Sequence, residues 1–234
     1  MQIFFLSGLG ADKTVFKFLD LSYCEPVFID WIKPDKDEPL NQYALRLKKL
    51  YIPDDAIIIG LSFGGMLATE IAKKYPSAKV IILSGAKTKN EIPSYYKTGK
   101  YMAVQNIAPG ILHKWLMLRM KWLFGLKDQR NIKVYEDLIR NSNPVFNKWA
   151  IYAILNWQNT AVPPNIFHIH GTHDKVLPYR NVTCNHTIKK GGHLMVMEQS
   201  GLVSKLLKEI ITTKEFKGSV LSSSASQFAD PHLK

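Results

Sequence analysis

The stretch Ile57-Ile58-Ile59-Gly60-Leu61-Ser62-Phe63-Gly64-Gly65 constrains the fold more than any other part of this 234-residue chain. An apolar run of this length, closed by glycine, reads as a strand buried on both faces. The residues that follow carry a helical pattern from near Gly65 to the Tyr75-Pro76 stop. A serine with glycines two before and two after it therefore stands on a sharp strand-to-helix turn, where a Cβ at either glycine would hold strand and helix apart. Such a turn either only packs or lifts the Ser62 hydroxyl above the sheet. In the second case the serine lies at a helix N-terminus, where free amides and the dipole favour negative charge.

Similar short runs recur at Ile3 to Leu6, Val27 to Trp31, Ala56 to Leu61, Val80 to Leu83, Ile166 to Ile169 and Val182 to Ile188. Helical periodicity appears between them at Leu40 to Tyr51, Met66 to Tyr75 and Leu194 to Ile211. This alternation predicts an α/β fold, a mainly parallel sheet flanked by helices. It stops between residues 86 and 160, where Ile111 to Phe124, Ile132 to Arg140 and Pro144 to Trp157 read as successive helices. The expected organisation is a core of residues 1–85 and 161–212, a helical cap inserted at 86–160, and a flexible serine-rich tail at 213–234. Four of the five tryptophans, Trp115, Trp122, Trp149 and Trp157, fall in the insertion. They are expected to make a small helical core and in part to line an apolar substrate chamber, with Trp115, Trp122 and Phe124 as candidate lining residues.

With 46% hydrophobic and 21% charged residues the chain has the composition of a folded globular protein. The apolar run at Ile3 to Leu6 is too short for a signal peptide core, and no run approaches the roughly 18 residues of a membrane span. Cys24 and Cys184 are far apart and lack metal-type spacing, so no disulfide framework is implied. A cytoplasmic protein is expected. The formal charge of +12 is concentrated between Ala86 and Thr160, where 12 Lys or Arg face 4 Asp or Glu. No zinc-finger, RRM or KH signature accompanies it, so nucleic acid is not an expected partner. The excess reads first as a solvated face and second as an attraction for an anionic group on a substrate.

A serine hydroxyl is a weak nucleophile until a base takes its proton, and that base must itself be held by an acid. Past the fifth apolar run, His170-Gly171-Thr172-His173-Asp174, followed by Pro178, supplies a carboxylate at a strand end. Gly191-Gly192-His193 then supplies a histidine on a glycine loop before the last helix. The chain order is Ser62, Asp174, His193.

These three motifs resemble those of the α/β-hydrolase family: its nucleophile elbow at Gly60 to Gly65, its "HGxxD…P" acid loop at His170 to Pro178, and its histidine loop at Gly191 to His193. The resemblance covers residues 1 to about 212. It implies a triad in which Ser62 attacks, His193 acts as base and Asp174 orients it, with no metal or organic cofactor. It implies too that Ser7-Gly8-Leu9-Gly10 is the oxyanion loop, so that the backbone N–H groups of Leu9 and Phe63 hold the tetrahedral oxygen; Ser7 stands where the family often has histidine. The function expected on this basis is a serine hydrolase cleaving an ester or thioester of a small to medium acyl substrate. A ligand-binding, non-turnover protein of this fold and a C–C hydrolase or lyase using the same triad remain alternatives. The sequence leaves the oligomeric state open.

Two rival motifs are weaker. His168, His170, His173 and Asp174 suggest a zinc site, but the H-x-H-x-D-H order of a hydrolytic centre is absent and His168 and His170 fall on one face of a buried strand. Gly8-Leu9-Gly10 with Asp30 imitates a dinucleotide fingerprint, yet Lys13 occupies the place of its third glycine.

Overall fold

The computed structural model describes residues 1–96 and 110–213. The tail expected over residues 213–234 lies outside them apart from Thr213, which ends the last helix. Six strands, β1 (Gln2–Leu6), β2 (Glu25–Ile29), β3 (Ile57–Leu61), β4 (Lys79–Leu83), β5 (Ile166–Gly171) and β6 (His186–Ile188), form one sheet. Its order is β2-β1-β3-β4-β5-β6 and every pair is parallel. The predicted α/β architecture is therefore present.

Burial on both faces explains the unbroken apolar runs. On one face Phe4, Leu6, Ile58, Val80 and Ile82 pack against α1 (Leu40–Tyr51) and α2 (Phe63–Lys74). On the other, Ile3, Phe5, Ile59, Leu61, Ile81 and Leu83 pack against residues of the C-terminal helices. The chain leaves β1 for β2 on one side and returns to β3 on the other side of β1, so the strand order reverses between β1 and β3. In an open parallel sheet such a reversal opens a crevice at the carboxyl ends of the strands. The loops after β1 and β3, which hold Leu9 and Ser62, flank it.

Between β4 and β5 lie α3 (Gly110–Arg119), a 3₁₀ turn at Lys121–Phe124, α4 (Gln129–Asn141) and α5 (Pro144–Asn156). Asp128 caps α4 through Arg130 N, and Asn143 caps α5 through Val145 N and Phe146 N. These helices do not gather their aromatic residues into the small separate core that was expected. Trp149, Phe146 and Trp157 join the α1/α2 side of the sheet core, whereas Tyr135, Leu138 and Ile139 join the opposite side. One reason is that α5 fits directly on α1: the Tyr43 and Trp149 rings are 4.3 Å apart, and Trp149 Nε1 donates to Glu38 O at 2.9 Å.

Several boundaries differ from the sequence reading. β2 runs from Glu25 to Ile29 and not to Trp31, because its partner β1 ends where Leu6 meets Ile29. β6 keeps only three residues of the expected Val182 to Ile188 run, since a 3₁₀ turn at Tyr179–Asn181 and a bond from Asn185 N to His168 O take up the chain before it. α2 starts at Phe63, directly after the serine. The segment from Leu194 to Ile211 is two helices, α6 (Met195–Glu198) and α7 (Ser200–Thr213). They part at Gln199, whose backbone (φ −128°, ψ 37°) leaves the helical region while its side chain bonds Lys189 O. Among the described residues no helix is long and apolar enough to cross a membrane.

Candidate active site

Ser62 follows β3 with φ 53° and ψ −112°, a conformation that costs an L-residue on the order of 1–3 kcal/mol. The surroundings enforce it. A Cβ on Gly60 would lie 2.5 Å from Gly64 O, and one on Gly64 would lie 2.3 Å from Leu6 O, so both positions must be glycine for α2 to pass this close to β1 and β3. Ser62 N donates to Leu83 O, which ties the turn to β4, and Gly64 N donates to Ser7 O, which ties it to the loop after β1.

That loop is the candidate oxyanion loop. The Cβ position at Gly8 lies 3.5 Å from Ser62 Cβ, so Leu9 follows a residue in contact with the serine. Phe63 is the first residue of α2, and its N–H has no intrahelical acceptor. Ser7, in the place often taken by histidine, donates from Oγ to Ala11 O at 2.9 Å, and Trp31 Nε1 reaches the same carbonyl at 3.3 Å. Sequence reading had no signal for this Trp31 support, because it bridges residues from two separate strand ends.

The three distant side chains of the sequence reading meet. His193 Nε2 lies 2.9 Å from Ser62 Oγ and His193 Nδ1 lies 2.7 Å from Asp174 Oδ2. Asp174 Oδ1 accepts from the backbone amides of Val176 and Leu177, each at 2.8 Å, so one carboxylate oxygen shapes its own loop while the other faces the imidazole. Asp174 and His193 are buried at 4% and 2% exposure. Away from water a carboxylate beside an imidazole holds its orientation and favours the cation formed when the ring takes a proton. Chemically, the array can pass the Ser62 proton to His193 Nε2.

The histidine loop owes its shape partly to the inserted helices. Leu194 N donates to Phe124 O at 3.1 Å, and Gly125 (φ 77°) sits so close that a Cβ there would lie 2.7 Å from Gly192 Cα. The Phe124 ring stands 5.7 Å from the His193 ring, edge to face. Of the three candidate lining residues, Phe124 is thus beside His193. Trp115 and Trp122 are 55% and 58% exposed, under Arg119 and Lys175 respectively, and among the described residues neither ring pairs with His193.

His168 and His170, the strand residues of the rejected zinc pattern, are wholly buried on β5, and hydrogen bonds engage their ring nitrogens. Lys87 and Glu91, just past β4, form a buried ion pair at 2.7 Å that touches this pair of imidazoles. Tyr96 Oη donates to Val176 O in the acid loop at 3.1 Å, and burial pushes its phenol up to about 12. No periodicity or spacing marks these contacts in the sequence, since Lys87 meets His168 across 81 residues. Elsewhere, a cleft of about 530 Å³ lies between α1, α2 and α5, with Glu70, Lys73 and Trp157 in its wall.

Among solved structures the chain is similar to an esterase from Thermogutta terrifontis, with 16% identity over 91% of this chain and 90% of that one and a TM-score of 0.69. It is likewise similar to a meta-cleavage product hydrolase from Pseudomonas fluorescens (14% identity, 92% of each chain, TM-score 0.68). An esterase from Exiguobacterium antarcticum matches at 13% identity over 91% of this chain and 92% of that one, with a TM-score of 0.67. At such identities the likeness establishes the fold. No curated protein matches the chain. A family profile does match, over residues 3–205, and the chain belongs to the alpha/beta hydrolase family.

Proposed function

We propose that the protein is a serine hydrolase that cleaves a carboxylic ester or thioester of a small to medium acyl substrate. The observation that carries this reading is the hydrogen-bonded line from Ser62 Oγ through His193 to Asp174, at 2.9 and 2.7 Å. In the first half-reaction Ser62 Oγ attacks the acyl carbon as its proton moves to His193 Nε2, and the resulting oxyanion takes hydrogen bonds from the Leu9 and Phe63 amides. The carbon–oxygen or carbon–sulfur bond then breaks, and His193 returns the proton to the leaving group. Water repeats the sequence on the acyl-serine, with His193 as base again, and releases the acid. Asp174 keeps the Nδ1 proton in place throughout.

Residues 86–160 act in this reading as a cap whose Phe124 forms part of the acyl chamber. Their positive charge suits an anionic leaving group such as a coenzyme A or phosphopantetheine thiol. A fluorophosphonate probe tests the central claim: wild-type protein is expected to be labelled and Ser62→Ala to remain unlabelled. An unlabelled wild type, or equal labelling of both, would count against nucleophilic catalysis by Ser62. A panel of aryl esters, acyl-CoA thioesters and vinylogous diketones then separates ester, thioester and C–C bond cleavage, with turnover expected on the first two.

A further inference from the structure

Behind Asp174 a file of buried polar groups runs back into the fold. Lys87, at the entry to the inserted segment, donates from Nζ to Glu91 Oε1 at 2.7 Å and to Thr183 O, and it faces His168 Nδ1 at 2.9 Å. His168 Nε2 lies 3.3 Å from His170 Nδ1. His170 Nε2 in turn lies 2.8 Å from Leu177 O and 3.5 Å from Asp174 Oδ2. All of these side chains are buried.

The chemistry of the two ends decides where the protons are. An ammonium has three hydrogens and no lone pair, so His168 Nδ1 must accept from Lys87 and its ring proton must sit on Nε2. That proton points at His170 Nδ1, which must then accept, leaving the His170 proton on Nε2. At the far end Leu177 O can only accept, which also requires a proton on His170 Nε2. Lysine and carbonyl, approached independently, demand the same arrangement. The reverse arrangement would set lone pair against lone pair at Leu177 O and hydrogen against hydrogen at Lys87.

We propose that Lys87 fixes the tautomers of His168 and His170, and that His170 thereby acts as a positioning residue, pinning Leu177 so that the Asp174 loop presents one carboxylate oxygen to His193. The entry of the inserted segment is in this way wired to the acid of the triad. The charged and titratable groups facing the imidazole pair are Lys87 and Glu91 from the segment after β4, Asp174 from the acid loop and His193 from the loop after β6. The rate consequence rests on the proposed serine hydrolase reading; the proton placement does not.

Long-range proton–nitrogen correlation spectra of the ¹⁵N-histidine-labelled wild type at neutral pH test it first. Both His168 and His170 are expected as neutral Nε2–H tautomers, and an Nδ1–H form at either position overturns the proposal. Because Leu177 O alone still demands Nε2–H along the file, the role of Lys87 is tested on His170→Leu, where Lys87 alone constrains His168. Adding Lys87→Met with Glu91→Gln is expected to bring in an Nδ1–H population at His168, and unchanged tautomers overturn the role of Lys87. His170→Leu is expected to slow fluorophosphonate labelling of Ser62 on the order of tenfold, because a small displacement of a catalytic group is costly. His170→Gln, which can still donate to Leu177 O, is expected to recover most of that rate. Equal loss in the two variants, or none in either, refutes the positioning role. A wild type that takes no label removes the hydrolase reading instead, and the spectra then decide the proton placement by themselves.

Discussion

The loops at the carboxyl ends of β3, β5 and β6 and the helices inserted between β4 and β5 obey different rules. In the loops almost every position is over-determined. Gly60 and Gly64 leave no room for a Cβ, Ser62 is held at φ 53°, and Asp174 Oδ1 is saturated by two amides. In the inserted helices some residues are as constrained as the core, such as Trp149 at 8% exposure, whereas Trp115 and Trp122 are more than half exposed, each beneath a neighbouring cation. On the proposed reading the loops form a reaction centre, whose atoms need fixing to fractions of an ångström, while a covering segment needs fixing only where it touches that centre. Among the described residues the touching points include the Phe124–Gly125 turn on the histidine loop, Lys87, Glu91 and Tyr96 on the acid loop and its strand, Phe146 and Trp149 on Phe63, and Ile139 beside Gly10.

The contrast can be broken most directly at the serine. Ser62→Ala is expected to lower kcat by at least about 10⁴-fold on any ester that the panel identifies, with an unchanged melting temperature. Activity surviving at a tenth of wild type would show that the rigid loops serve packing alone. Next in size, Trp149→Ala is expected to cost about 3–5 kcal/mol in denaturant unfolding, because it removes a buried ring and the bond to Glu38 O. A cost below about 1 kcal/mol would place α5 outside the core, against the normal range for large-to-small core substitutions.

At the junction of the two regions, Gly125→Ala combines a positive φ with a contact to Gly192 Cα and is expected to destabilise by about 2 kcal/mol. It should also slow labelling of Ser62, since the turn moves off the histidine loop; a full labelling rate in a folded variant would show that the turn does not seat His193. Acid gives a smaller, graded effect. Burial, with Lys87 close by, holds His168 well below the usual imidazole range, and burial lowers His170. Below about pH 6.5 the unfolded chain takes up protons that the native state refuses, so stability is complete above that pH and falls as pH drops. The expected slope is up to about 1.4 kcal/mol per pH unit for each histidine, read from urea midpoints, and His168→Gln with His170→Gln should flatten it. A flat wild-type profile between pH 6.5 and 5 would contradict buried neutral imidazoles. Least of all, Trp115→Ala or Trp122→Ala should change stability by no more than about 0.5 kcal/mol. A larger loss would mean that the rings are covered.

Legibility followed the same division. Gly60 to Gly64 and Gly191 to His193 were readable because their glycines sit at recognisable spacings around Ser62 and His193, although the backbone atoms that exclude a Cβ at Gly64 and Gly192 belong to distant residues, Leu6 and Gly125. Trp115, Trp122 and Phe124 looked equivalent on one apolar stretch, and only Phe124 stands beside His193. The break at Gln199 and the loss of Trp31 from β2 were hidden as well, for they depend on where a neighbouring strand or loop happens to end.

The order of strands and helices, the strained serine turn and the chain order of serine, acid and histidine were all determined by the sequence alone, because each is a local consequence of side-chain size, periodicity and backbone freedom. The tertiary structure decided which inserted residues face the histidine and that Lys87, just past β4, would meet His168 on the neighbouring strand β5. Such pairings connect residues tens of positions apart, and their geometry is set by packing, which no local pattern encodes.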